Sequence, residues 1–252
     1  MKFQVIIPAR YASTRFPGKP LAMLGSKTMI QHVYEKALQV VDNVCVATDD
    51  ERIFNAVINF GGVAVMTSPN HKSGTDRICE AYRLLESDAD VVVNLQGDEP
   101  FIMPQQIESL IACFKNPQTQ IATLARPFNE DEDLFDPNIV KVVFSQDNNR
   151  ALYFSRSPIP YLRGVKHADW VRKHTYYAHI GIYAYRAEVL KQITAMPQSQ
   201  SEQAESLEQL RWLEAGIPIT VGVTPYSTIG IDTPADLELA IRNFEFEIRN
   251  RK

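Results

Sequence analysis

Cysteine is scarce in this sequence: Cys45, Cys79 and Cys113 stand alone in 252 residues. An odd number with no CxxC pair excludes a disulfide framework and leaves no zinc-ligand spacing, so free thiols in a reducing compartment are expected. No apolar run approaches the ~18 residues that a membrane span needs. The first one, Val5-Ile6-Ile7, stops at Pro8, too early for a secretory signal. The expected location is the cytoplasm, with no membrane partner. The common cofactor loops are also missing. GxxxxGK[ST] is absent, and Gly25-Ser26-Lys27-Thr28 lacks its Gly-Lys adjacency. Without GxGxxG a nicotinamide dehydrogenase is disfavoured, and without GxSxG so is a serine hydrolase of the common α/β kind.

Acid is missing from one region. Residues 1–34 carry Lys2, Arg10, Arg15, Lys19 and Lys27, and the first carboxylate is Glu35. The whole chain has a formal net charge of −4, which argues against a nucleic-acid partner. A positive island in an acidic chain suits a small anionic ligand, and an incidental basic run is an equal reading on charge alone.

What is present is ordinary for a globular chain: 45% hydrophobic and 22% charged residues. A chain of this length buries roughly three quarters of its unfolded surface. In the first half, short β-branched runs alternate with helical apolar spacing. Phe3–Pro8, Val44–Thr48, Val63–Met66 and Val91–Gln96 read as strands. Met29, Ile30, Val33, Tyr34, Ala37, Leu38 and Val41 form a helical face, as do Ile78, Ala81, Tyr82 and Leu85. Such alternation predicts an α/β fold with a mostly parallel sheet, whose ligands sit at the carboxyl ends of the strands. The second half reads as strands at 121–126, 140–144, 151–154, 180–185 and 219–223. It also holds an aperiodic stretch at 157–177 and a polar one at 198–205. A long helix starts at Thr233. No linker is visible, so a single domain over 1–252 is expected, with a lid and dimerisation subregion at roughly 125–225.

Three strand ends carry chemistry. The loop Pro8-Ala9-Arg10-Tyr11-Ala12-Ser13-Thr14-Arg15-Phe16-Pro17-Gly18-Lys19-Pro20 offers three cations and open backbone N–H groups, which suits a polyphosphate. A solvated basic loop is the competing reading. Gln96-Gly97-Asp98-Glu99-Pro100 puts an acidic pair after a buried strand, placed either to hold Mg2+ or to cap the next helix. Gly230-Ile231-Asp232-Thr233-Pro234-Ala235-Asp236 is a well-formed helix start that leaves Asp232 outside the helix.

Residues 8–21, PARYASTRFPGKPL, resemble the nucleotide-binding signature of the cytidylyltransferases that activate acidic sugars. HKSGTDR (71–77), NLQGDEP (94–100), ALYFSRSPIP (151–160), HIGIYAYR (179–186), SLEQLR (206–211) and GIDTPADLE (230–238) are similar to the branch acting on 3-deoxy-manno-octulosonate (Kdo). The resemblance implies a Rossmann-like, mixed but mostly parallel sheet of the nucleotide-diphospho-sugar transferase type. It implies CTP and Kdo as substrates, CMP-Kdo and pyrophosphate as products, a place in lipopolysaccharide synthesis, Mg2+ as cofactor and a homodimer. Carried onto this sequence, Arg10, Lys19, Asp98 and Asp232 are the catalytic residues, and Asp98 and Asp232 the metal ligands. Nucleotide binding falls to Pro8, Ala9, Arg10, Arg15, Lys19, Ser73, Gly74, Thr75, Arg77 and Gln96. Sugar binding falls to Gln96, Arg156, His179, Tyr183, Glu208 and Gln209. Read without the resemblance, His179 is a structural histidine beside an apolar strand, and Glu208 and Gln209 are a solvated helix face.

Overall fold

The computed structural model describes residues 1–12, 16–227, 230–231 and 233–250, with the backbone alone over 243–250. The chain forms two compact units, Met1–Pro104 with Thr228–Lys252, and Gln105–Ser227. The subregion set apart in the sequence, roughly 125–225, lies inside the second.

In the first unit β1 (Phe3–Ala9) is followed by a short hairpin, β2 (Met23–Leu24) and β3 (Lys27–Thr28). Helix α1 (Met29–Leu38), β4 (Val44–Thr48), α2 (Glu51–Asn59), β5 (Ala64–Met66), α3 (Gly74–Leu84) and β6 (Val91–Asn94) then alternate. The sheet order is β6-β1-β4-β5, parallel throughout, with Val5 opposite Val44 and Phe3 opposite Val91. Val5, Ile6, Ile7, Val91, Val92 and Val93 are wholly buried, as a central parallel strand apolar on both faces requires. Each helix starts where the sequence offers a side-chain acceptor. Thr28 takes the N–H of Gln31, Asp50 that of Arg52, and Ser73 that of Asp76. At the C-terminal helix Pro234–Asn250, Thr233 and Asp236 exchange both bonds of a capping box. Because the strands run parallel, the loops after Ala9, Thr48 and Asn94 leave one edge of the sheet together.

The second unit contains α4 (Pro104–Ala112), β7 (Ile121–Pro127), β8 (Lys141–Phe144), β9 (Ala151–Ser155), α5 (Trp170–Lys173) and β10 (Tyr177–Arg186). Helices α6 (Ala187–Thr194), α7 (Gln200–Glu205) and α8 (Gln209–Glu214) precede β11 (Ile219–Val223). β11 pairs with β7 in parallel, while β7–β10, β10–β8 and β8–β9 are antiparallel. Two stretches are more ordered than their sequence suggests. Residues 157–177 contain α5 and bring Trp170 into a core with Phe128, Leu134, Tyr176 and Ala178. The polar segment 198–205 contains α7, opened by a capping box between Ser199 and Glu202. Its QSEQAE carries no apolar stripe, so periodicity alone does not reveal it.

No helix among the described residues is long and apolar enough to cross a membrane. All three cysteines are free; Cys45 is buried and the other two are half-buried.

Candidate active site

The strand-end loops of the first unit enclose a cavity of about 320 Å³. The end of β1 contributes Pro8, Ala9 and Arg10. The segment after the basic loop contributes Lys19 and Pro20. The start of α3 contributes His71, Lys72, Ser73, Gly74 and Arg77, and the loop after β6 contributes Gln96, Gly97 and Asp98. The sequence scatters these residues over ninety positions, and the parallel sheet gathers them at its carboxyl edge. Gly97 allows the close approach. A β-carbon there would stand 3.2 Å from both the carbonyl oxygen of Pro8 and Cδ1 of Ile30. Gly18, in the left-handed region at φ 71°, bonds its N–H to the carbonyl of Tyr11 and so closes the basic loop.

Charge in the cavity is opposed across its width. Lys19 Nζ lies 2.5 Å from Asp98 Oδ2, and both side chains are partly buried. Glu99 follows, with Oε2 buried and without a partner among the described residues. Burial, helped by the neighbouring charge of Asp98, pushes its carboxyl up to about 8. At neutral pH the acidic pair therefore carries closer to one negative charge than two. Arg77 lines the cavity, but its guanidinium is tied to Asp49 at 2.8 Å and to Thr67 at 2.6 Å. Asp49 thus balances its charge, and Arg77 is placed to hold loops together more than to meet an anion. Thr75 is turned inward and buried at 3% exposure. Ser73 and Gly74 instead present the N-terminus of α3, where unpaired N–H groups attract an anion.

Arg15 and Asp232 lie outside the described residues. The residue before Asp232, Ile231, donates its backbone N–H to the carbonyl of Asp98 at 3.1 Å. His71 is a lining residue that sequence reasoning passed over. Its Nε2 is 2.5 Å from Glu80 Oε2, which also accepts the N–H of Ser68. The signal was available, because His71 opens the quoted motif 71–77.

The remaining site residues cluster in the second unit. β10 shifts register against β7 between Ile180 and Tyr183. Four residues of regular strand span roughly 13 Å, yet the rings of His179 and Tyr183 lie 5.4 Å apart. The irregularity between Ile180 and Tyr183 brings the two rings together. Thr123 fills the gap, its hydroxyl 2.9 Å from His179 Nε2 and 2.8 Å from the carbonyl of Ile182. Trp212 of α8 packs edge-on against Tyr183 at 5.3 Å, which brings Glu208 and Gln209 to the same place. Arg211 holds Glu208 at 2.6 Å. Gln209 Nε2 is buried with no hydrogen-bond partner among the described residues. A buried amide N–H without a partner is uncommon, and it is the kind of group a polar ligand can satisfy. Arg156, just after β9, donates from its guanidinium to the carbonyls of Glu205 and Pro137 at 2.6 and 2.9 Å. Glu208 and Gln209, a solvated face by sequence alone, are respectively ion-paired and 5% exposed.

Burial pushes His179 down to about 3, so the ring is neutral at physiological pH. The unfolded chain binds a proton near pH 6.5 that the folded chain refuses until about 3, so stability falls as pH drops below 6.5. Unfolding midpoints measured from pH 7 to 4 are expected to fall less steeply in His179→Gln. Equal slopes in the two proteins would show that His179 does not resist protonation.

Residues 4–219 match the family model described as Cytidylyltransferase. A relative from Parabacteroides distasonis, named 3-deoxy-manno-octulosonate cytidylyltransferase, is 62% identical over 245 residues, covering 96% of this chain and 97% of its own. A solved structure of CMP:2-keto-3-deoxy-manno-octonic acid synthetase complexed with CTP superposes with a TM-score of 0.90. It is 47% identical and covers 98% of this chain and 100% of the other. The 4-diphosphocytidyl-2C-methyl-D-erythritol synthase of Anaerococcus prevotii shares the fold alone, at 15% identity and TM-score 0.62 over 97% of this chain and 99% of its own. Its mixed, mostly parallel α/β sheet, the cavity at the strand ends and a match over most of its length make this chain a member of the cytidylyltransferase family.

Proposed function

We propose that this chain transfers the cytidylyl group of CTP to Kdo, giving CMP-Kdo and pyrophosphate for lipopolysaccharide synthesis. The observation that carries the reading is the cavity joining Arg10, Lys19 and Asp98 at the strand ends. The anomeric 2-hydroxyl of the sugar forms a new O–P bond at the α-phosphate while the bond to the leaving pyrophosphate breaks in line. Arg10, Lys19 and, from its place in the same loop, Arg15 oppose the triphosphate charge and stabilise the leaving group. Pro8, Ala9, Ser73, Gly74 and Gln96 line the nucleotide's seat, and Thr75 and Arg77 brace it from behind. In the second unit Arg156 meets the sugar carboxylate. His179, Tyr183, Glu208 and Gln209 take its hydroxyls, which satisfies the orphaned Nε2 of Gln209.

The donor set fits magnesium. Mg2+ binds through one or two carboxylates and completes its shell with phosphate oxygens and water. Asp98 presents such a carboxylate to the cavity, already facing a cation in Lys19. Asp98 and Asp232 are assigned as its protein ligands. Bound there, the ion neutralises triphosphate charge and acidifies the attacking hydroxyl. The free thiols suit work in the cytoplasm, and a homodimer is the expected assembly.

Pyrophosphate release from CTP and Mg2+, with and without Kdo, tests the reading. Release that requires Kdo and stops with EDTA supports it, whereas release with a different acidic sugar moves the substrate. In the same assay Arg10→Ala is expected to raise the KM for CTP about tenfold or more, as loss of one charge-assisted phosphate contact implies, with a smaller change for Kdo. An unchanged KM for CTP removes Arg10 from the triphosphate site.

A further inference from the structure

Arg156 is anchored through its main chain and its side chain at once. Its backbone N–H donates to Glu205 Oε2 at 2.9 Å, and its carbonyl accepts from Lys141 Nζ at 2.7 Å. Its guanidinium donates through Nε to the carbonyl of Glu205 at 2.6 Å. One terminal nitrogen reaches the carbonyl of Pro137 at 2.9 Å and the other that of Ser206 at 3.5 Å. Ser155 Oγ donates to the second carboxylate oxygen of Glu205 at 2.6 Å.

Lys141 is wholly buried. Beyond Arg156, its ammonium donates to the carbonyls of Asp136 and Ile139, each at 2.8 Å. Three protons meet three carbonyls, and no carboxylate oxygen lies within bonding distance among the described residues. Burial pulls its pKa below the ordinary lysine value, as desolvation of a charge must. The lysine satisfies three carbonyls at once, which an apolar side chain of the same length would leave without that donor. Its acceptors belong to the loop 136–139 and to Arg156, which it fixes together.

Glu205 is the other anchor. It ends α7, and Ser206 after it takes a left-handed conformation at φ 52° that starts the turn into α8. α8 brings Glu208 and Gln209. The bonds from Arg156 to the carbonyls of Glu205 and Ser206 therefore tie the exit of β9 to the turn that carries those residues. Of five guanidinium N–H groups, these carbonyls engage three. One N–H on each terminal nitrogen is left to donate.

We propose that Glu205 and Lys141 are positioning residues for the acid-sugar site, holding Arg156 as a preset fork in register with Glu208 and Gln209. The inference rests on the reading that Arg156 meets the sugar carboxylate. Pre-setting the fork removes the loss of side-chain freedom that binding would otherwise incur. Its signature is a weaker grip on the sugar with an unchanged grip on the nucleotide.

The test is steady-state kinetics with CTP and Kdo on Glu205→Gln, Lys141→Met, Arg156→Lys and the double variant Glu205→Gln/Arg156→Lys, beside thermal unfolding of each. Glu205→Gln keeps the shape and the carbonyl while losing the charge, so it remains informative if Lys141→Met fails to fold. The expected result is a rise of about tenfold in KM for Kdo in Glu205→Gln, the loss of one charge-assisted bond, with KM for CTP within about twofold. The double variant is expected to be no worse than Arg156→Lys alone, because Glu205 acts through Arg156. Additive effects, a parallel rise in both KM values, or an unchanged KM for Kdo in Glu205→Gln overturns the inference. If Arg156→Lys itself leaves KM for Kdo unchanged, the assignment of Arg156 to the sugar carboxylate falls instead.

Discussion

Asp98→Asn is expected to lower kcat by about 10²–10³-fold with the fold intact, the scale of losing one preorganised electrostatic group from an active site. The carboxamide keeps the shape of the carboxylate, but it carries no charge and has one acceptor oxygen. Lys19 then loses the anion now 2.5 Å from its ammonium, and the cavity loses its ionised carboxylate. Neighbouring Glu99 is a poor substitute because burial alone holds its carboxyl above the usual carboxylate range. Stability changes little, since a partly exposed ion pair contributes about 0–1 kcal/mol. The measurement is kcat for pyrophosphate release together with the thermal midpoint. A near-normal kcat removes Asp98 from the chemistry, and a large fall in midpoint makes its role structural.

Gly97→Val has the second large effect, and it acts through space alone. The added β-carbon would meet the Pro8 carbonyl oxygen and Ile30 at 3.2 Å, and two further methyl groups have to follow it. The carbonyl belongs to Pro8 of β1, which stands opposite Ala47 of β4 in the sheet. The loop carrying Gln96 and Asp98 must move away from the end of β1. A displacement near 1 Å costs about 10²-fold in turnover, and the overpacking costs about 1–3 kcal/mol in stability. Denaturant unfolding and kcat/KM measured together check both. If kcat/KM stays within about twofold, the close approach at Gly97 does not set the position of Asp98.

Legibility of the site divides along physical lines. The first unit was plain because its strands are short β-branched runs, its helices have acceptors at their starts, and a parallel sheet has one edge where ligands sit. The position of Asp98 after a buried strand followed from that rule, and its ion pair with Lys19 did not, because pairing depends on how a loop folds back across the sheet. Arg77 illustrates the same limit. Its place near the start of α3 could be read, whereas its engagement by Asp49, 28 residues earlier, could not. In the second unit α7 was hidden because its six residues carry no apolar stripe. The meeting of His179 and Tyr183 was hidden because two-residue alternation describes a regular strand, and β10 breaks that regularity between Ile180 and Tyr183.

The sequence by itself determined the class of fold, the alternation of strand and helix in the first unit and the family, since these rest on local periodicity, capping residues and contiguous motifs. Tertiary structure alone decided which charges are opposed and which polar atoms are left waiting. Those outcomes depend on distances between residues far apart in the chain, and electrostatic and hydrogen-bond energies change sharply over the few ångströms that only packing sets.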